Sequence, residues 1–412
     1  MTVSAFLECS TCNHVLRIRY QVGYVHPFVV KIACDQCGKL LKGQIRQDGK
    51  TFSFPNDKVT HEWLETTQTV SVSTELPIAI KNTNVGGMTA LSPFMAMSQL
   101  VPINKVMNST STIVAFMKSF DGLFSNLLTS NELFQSGNWK YFLAHTHRHF
   151  PLPPLNSEES FENSLDTFNR VLNEWYVYLS TDFYKIHFNQ FLQNLTIDAC
   201  STKIAELKSL KASLDTYINL ELECQKAFDL SMRFLENIKS FFPVIALSYN
   251  DDFTRVYGDD AGLTTFEFSD LKDLYIEQFE YLSRISSLHF GLLNLDQRGD
   301  FNNFGAINLP SMAAYYSKDN GVKKNYVAES PELNKYFLST LNSQVRNGIG
   351  HLKTVYLPKE QIIRYYPFKE VAKVNTYKEI YLIDFAFQVY QQALKIKDSL
   401  DILTKFIALT KL

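Results

Sequence analysis

At 412 residues, with 45% hydrophobic and 14% aromatic content, the chain is too apolar for a disordered protein and too long for one compact core, so two or three domains are expected. Its formal charge of -2 excludes the overall basicity that announces a nucleic-acid binder and leaves any such contact to a local patch. The N-terminus "MTVSAFLECSTC" lacks a basic segment ahead of an apolar run, and the longest apolar stretch, 85–107, is broken by Pro93 and Pro102; a cytoplasmic protein that does not enter a membrane is expected.

Residues 1–55 read as short strands. "HVLRIRYQVGYV" is rich in β-branched and aromatic residues, and "KLLKGQIRQDGKTFSFP" contains an Asp48-Gly49 turn signal. Cys9-Ser-Thr-Cys12 and Cys34-Asp-Gln-Cys37 flank this strand-rich stretch, the spacing of a tetrahedral four-thiolate site with two turn-borne ligands on each side. These pairs make the segment resemble a zinc ribbon, with Cys9, Cys12, Cys34 and Cys37 as ligands of a structural zinc ion; a pair of redox dithiols is the alternative. Arg17, Arg19, Lys31, Lys39, Lys42, Arg46 and Lys50, interleaved with Tyr20, Tyr24 and Phe28, suit either a nucleic-acid surface or a solvated charged face.

Residues 56–111, with their Asn, Thr, Ser, Gly86-Gly87 and scattered prolines, read as a connector holding one further strand in "TVSVSTELPIAI". The period then becomes helical, and the fold class is mainly α: a small N-terminal β module, a helical middle region over 112–195 and a helical domain over 196–412. Within the middle region Trp139, Tyr141, Trp175 and Tyr176 fall in apolar pattern and are expected as core anchors. His145, His147 and His149 alternate as metal ligands do on an extended segment, but no acid or cysteine accompanies them; they are read as surface or packing histidines. A further long helical stretch should end before Pro243, and Cys200 and Cys224 are expected as buried free thiols.

"YNDDFTRVYGDDAG" brings Asp251, Asp252, Asp259 and Asp260 into one acidic loop, superficially like the paired carboxylates of a two-metal polymerase; helices on both sides favour a solvated loop. Helices are then expected from about 269 to 295 and from about 331 onward. "VYLPKEQIIRYYPF" reads as a hairpin or loop, and the chain closes on an apolar helix beginning at "KEIYLIDF".

Between these last helices lies "LNSQVRNGIGHLKTVY". A bare arginine followed five residues later by histidine is weak, since "RISSLH" at Arg284 and His289 repeats it inside continuous helix. The copy at Arg346 differs in Asn347, in Gly348 and Gly350, and in its place between two apolar helices. "VRNGIGH" resembles the R-N-x-x-x-H motif of the HEPN superfamily, small all-α domains that include many metal-independent ribonucleases of toxin–antitoxin and phage-defence systems. The resemblance implies a HEPN-like helical bundle over 196–412, in which His351 moves protons, Arg346 stabilises charge on phosphorus and Asn347 positions either the histidine or the phosphate. It implies cleavage of RNA by 2′-hydroxyl attack to a 2′,3′-cyclic phosphate, in a homodimer where two motif copies meet, with an antitoxin or other protein as possible partner. The second reading is a non-catalytic scaffold of the same fold that binds nucleic acid or a protein through the ribbon. Each glycine in the motif costs a helix roughly 1 kcal/mol relative to Ala. That cost fits either a bent entry to the helix or a domain kept for dimerisation.

Overall fold

The computed structural model describes residues 2–26, 28–46, 51–64, 68–80, 92–100, 102–150, 152, 158–179, 202–248, 261–337, 340–367 and 376–411. The chain divides into two compact units, each drawn from three segments. The first takes Met1–Lys118, Glu236–Asp273 and Asn347–Tyr390; the second takes Ser119–Leu235, Leu274–Arg346 and Gln391–Leu412. Mainly helical structure behind a small N-terminal β region is what the periodicities predict.

The first unit is built on short sheets. Strands β1 (Thr2–Glu8) and β2 (Val15–Gln21) form an antiparallel hairpin with Ala5 opposite Ile18, and β3 (Phe28–Ala33) and β4 (Leu40–Ile45) form a second. Alternation puts Ala5, Leu7, Leu16, Ile18 and Tyr20 from one hairpin and Phe28, Val30, Ile32 and Leu41 from the other into a common core. Tyr20 and Phe28, grouped by sequence with a basic ligand face, instead stack on each other inside this core with centroids 5.1 Å apart. The reason is register: both fall on the inward positions of their strands.

Strand β5 (Phe52–Ser53) extends the second hairpin, while β6 (Lys58–Thr60) and β7 (Gln68–Val72) flank the first to give the order β6-β1-β2-β7, with β7 parallel to β2. The stretch read as a connector thus completes a sheet. It also supplies β8 (Ile78–Ala79) and the helix α1 (Pro93–Leu100). The helix α2 (Ile103–Gln135) begins in this unit.

Later parts of the chain return to the β region. Strand β9 (Ala261–Gly262) pairs with β8, and the Lys31 amide donates to the Thr264 carbonyl at 2.8 Å. Strands β10 (Thr354–Leu357) and β11 (Ile362–Tyr365) make the expected hairpin, and β12 (Lys378–Tyr381) adds a third strand. "KEIY", expected to open the closing helix, is therefore strand. Its β-branched and aromatic residues pair with β11 before helix begins at Leu382. Gln361 fastens this sheet to the rest of the unit: its side-chain amide accepts from Leu263 N at 2.8 Å and donates to Leu263 O at 2.6 Å.

The second unit is helical: most of α2, then α3 (Trp139–His149), α4 (Phe161–Leu179), α5 (Ile204–Asp215) and α6 (Leu220–Glu236). Phe134 is packed by Phe142, Phe161, Phe168 and Phe228, and Phe168 stacks on Phe228 at 4.2 Å. Trp175 and Tyr176 are buried as expected and Trp139 is half-buried, but Tyr141 is 65% exposed because α3 turns it away from Phe142 and Leu143. The helix α7 (Ile238–Leu247), in the first unit, contains Pro243 rather than ending before it. It starts only at Ile238, so the proline displaces one early hydrogen bond. The helix α8 (Phe268–Arg298) is followed by the shorter α9 (Met312–Tyr316), α10 (Asn320–Glu329) and α11 (Pro331–Phe337), then α12 (Ser343–Gly350) and finally α13 (Leu382–Lys411). No helix among the described residues is long and apolar enough to cross a membrane.

Candidate functional site

The cysteine pairs converge. Cys9 Sγ lies 3.7 Å from Cys37 Sγ and Cys12 Sγ 3.6 Å from Cys34 Sγ, with all four sulfurs within 4.8 Å of one another. A tetrahedral ion with sulfurs at about 2.3 Å needs edges of about 3.8 Å, so the four could bind a metal ion as they stand.

Two equivalent turns place them. The fourth residue after each first cysteine is left-handed, Asn13 at φ 58° and Gly38 at φ 77°, and its amide donates to the carbonyl of Cys9 or Cys34 at 2.8 Å. Only glycine, or a short residue such as asparagine, takes this conformation cheaply. Each turn is closed at its base, by Cys9 N to His14 O and by Cys34 N to Lys39 O, both at 2.9 Å.

The amides of such turns face the sulfurs. Burial pushes the Cys9 thiol up, but the amides of Thr11 and Cys12 outweigh it and the group settles at about 7; burial holds Cys34 at about 12.

Two contacts join the turns: His14 Nε2 lies 2.8 Å from Asp35 Oδ1, and Asp57 accepts from Ser10 N at 2.9 Å and from Lys39 Nζ at 2.8 Å. Asp57 is in the stretch read as a connector. No local sequence signal marks it, because its role depends on where β6 places it.

The basic residues of the ribbon are largely engaged. Lys31 pairs with Asp270 at 2.5 Å, Lys42 with Glu267 and Lys39 with Asp57. Lys359, in the turn between β10 and β11, donates to Gln36 O between the second pair of cysteines at 3.3 Å. Lys31, Lys39 and Lys42, expected on a ligand or solvent face, therefore tie the metal module into its own unit; Lys50 lies outside the described residues.

The second candidate lies on α12. Asn342 caps it, its Oδ1 accepting from Gln344 N and Val345 N at 3.2 and 3.3 Å. The ladder continues through the motif, Arg346 N to Asn342 O at 3.1 Å and His351 N to Asn347 O at 3.0 Å. The two glycines lie within the helical span.

Gly348 has a packing reason: a Cβ there would sit 2.8 Å from Tyr365 Cβ on β11. Beyond Gly350 the chain closes with Leu352 N to Ile349 O and Lys353 N to Gly348 O, which requires Leu352 to be left-handed at φ 56°.

The three motif residues are differently housed. Arg346 belongs to the second unit, where Nε donates to Glu280 Oε1 at 2.6 Å and Nη2 pairs with the same carboxylate. Glu280 also accepts from Asn320. Asn347 and His351 belong to the first unit, Asn347 half-buried and His351 exposed immediately after the helix. The helix ends at Gly350, so His351 follows it rather than sharing a helical face with Arg346.

The other sites resolve simply. Arg284 and His289 sit in the continuous α8, Arg284 forked onto Glu223 at 3.2 and 3.4 Å and His289 buried between Ile285 O and Ser399 Oγ. Burial depresses His289 to about 4. The His145 and His149 rings lie 4.5 Å apart, tilted by 44°, one helical turn apart on α3, and Cys224 is a buried free thiol. Asp251, Asp252, Asp259, Asp260 and Cys200 lie outside the described residues.

The chain matches no protein-family model, no curated protein and no solved structure.

Proposed function

We propose that the protein is a zinc-ribbon endoribonuclease of HEPN type, which cleaves RNA without a catalytic metal. The observation that carries the metal assignment is the sulfur geometry: four cysteines at zinc-compatible spacing, fixed by paired turns. Four thiolates fill a tetrahedral ion, so zinc bound by Cys9, Cys12, Cys34 and Cys37 supplies folding energy and leaves no open position for a substrate.

For the chemistry, an imidazole can take the proton of a 2′-hydroxyl, and a guanidinium can hold charge on phosphorus. The exposure of His351 supports the first role. The Glu280 carboxylate holds the Arg346 guanidinium in a fixed direction, as a preorganised cation requires. In the HEPN resemblance two copies of the motif meet, so the reading takes the active species to be a homodimer in which each cleft borrows from both copies.

The test is incubation of purified protein with total RNA in EDTA, wild type beside His351→Ala. The expected result is fragments ending in 2′,3′-cyclic phosphate from wild type and intact RNA from the variant. Equal RNA integrity in both would sink the reading.

One observation favours the scaffold reading: the two-point contact of Arg346 with Glu280, itself bonded to Asn320, is also what a structural pin between α12, α8 and α10 looks like. Under that reading Arg346→Ala lowers stability by about 1–2 kcal/mol and alters complex formation while no cleavage is found in either protein.

A further inference from the structure

The outer face of the β6-β1-β2-β7 sheet is unlike the rest of the ribbon. Phe6, Arg17, Arg19, Ser4 and Thr60 share this face by register: Phe6 lies opposite Arg17 and Thr60, and Ser4 opposite Arg19. Trp63 folds over it from the segment after β6, edge-on to Phe6 at 5.3 Å and under the Arg17 guanidinium at 5.3 Å, while staying 72% exposed.

Arg17 differs from the lysines of the ribbon. Lys31, Lys39 and Lys42 have carboxylate partners; Arg17 has a hydroxyl, Ser4 Oγ at 3.3 Å, and an indole ring, with no carboxylate among the described residues. Its Nε is sealed from solvent without a hydrogen-bond partner. Arg19 stands beside it on the same strand face, and like charges at that spacing repel. Glu8, an acid on the same face, is answered by Lys58 at 3.6 Å.

We propose that this face, with Trp63 as the stacking surface and Arg17 with Arg19 as the backbone contact, binds single-stranded RNA. The half-buried Arg17 guanidinium, without an acid, calls for an anion, and Arg19 adds a second positive charge to the same face. The exposed indole, held from behind by Phe6 and Arg17, offers a flat surface to a base. A phosphodiester strand satisfies both at once, because its charges and its planar groups alternate.

The proposal rests on the RNA reading above, so binding is measured apart from cleavage. Full-length, zinc-loaded protein carrying His351→Ala is titrated into a labelled single-stranded oligouridylate of about twelve nucleotides, followed by fluorescence anisotropy at several salt concentrations. Adding Trp63→Ala is expected to weaken binding about 10- to 100-fold, with Trp63→Phe recovering most of it. Adding Arg17→Gln is expected to weaken binding and lower the salt slope by about one.

Binding unchanged in both face variants, with melting temperatures unchanged, overturns the proposal even if wild type cleaves RNA. So does tighter binding of a polyglutamate peptide than of the RNA, which would make the face a protein-docking site. If Trp63→Ala does not fold, Trp63→Phe and Arg17→Gln decide the matter alone. Weakened binding in the face variants together with an inert wild type leaves this proposal standing and removes the ribonuclease reading.

Discussion

A methyl group at position 348 would lie 2.8 Å from Cβ of Tyr365, which is backbone-anchored and cannot swing aside. Intrinsic propensity favours Ala over Gly in a helix by about 1 kcal/mol, but forced overpacking costs about 1–3 kcal/mol. Gly348→Ala is therefore expected to destabilise the first unit despite the better helix former, measured as a lower urea midpoint; a raised midpoint would refute the contact. From sequence the glycine shows only as a cost, because the strand that needs it arrives 17 positions later, at Tyr365. The cysteines were legible for the opposite reason: ligand type and local spacing suffice for a turn that carries its own geometry. Trp63 and Asp57 were illegible, since each flanks the edge strand β6, which the sequence shows only as part of a polar connector.

The helix α8 buries a polar stripe, Gln278, Ser283, Ser286, Ser287 and His289, among otherwise apolar neighbours. Its periodicity made the helix predictable, but the partners of the stripe come from α9, α11 and α13: Ser286 meets Tyr315 at 2.6 Å, and the His289 ring lies 5.1 Å from that of Tyr336. Burial keeps His289 neutral down to about 4, whereas the unfolded chain takes up the proton near the ordinary 6.5. Below that value the unfolded state binds more protons, so stability falls as pH falls and the loss is complete near pH 4. Moving from pH 7 to pH 5 should cost about 2 kcal/mol at this residue. Denaturant titrations at both pH values, with His289→Gln as the comparison, should show a flatter dependence in the variant. An identical slope would mean that His289 is already charged in the folded protein.

Interleaving of three segments per unit has a consequence for dissection of the molecule. Residues 1–55 contain all four ligands but lack β6 and β7, and residues 1–118 contain both yet leave β8 without β9 and Lys31 without Asp270. Neither fragment is expected to unfold cooperatively even with zinc, whereas the full chain should; a sharp, zinc-dependent transition from residues 1–55 alone would show that the returning strands are dispensable. Sequence reading takes domains as contiguous stretches, since composition and period change along the chain while pairings between distant strands leave no local mark.

The same interleaving sets a timetable for synthesis. The four cysteines leave the ribosome with the first tenth of the chain, whereas Thr264 and Asp270, which hold Lys31 on β3, and Lys359, which holds the second turn, are made far later. At about 5–20 residues per second the interval is tens of seconds. During it the exposed thiols have no partner but each other and an ion, so a chain that captures its metal early is protected from oxidation and from stray strand pairing. Cells short of zinc should accumulate this protein as nascent-chain aggregates before they accumulate it as an inactive folded form.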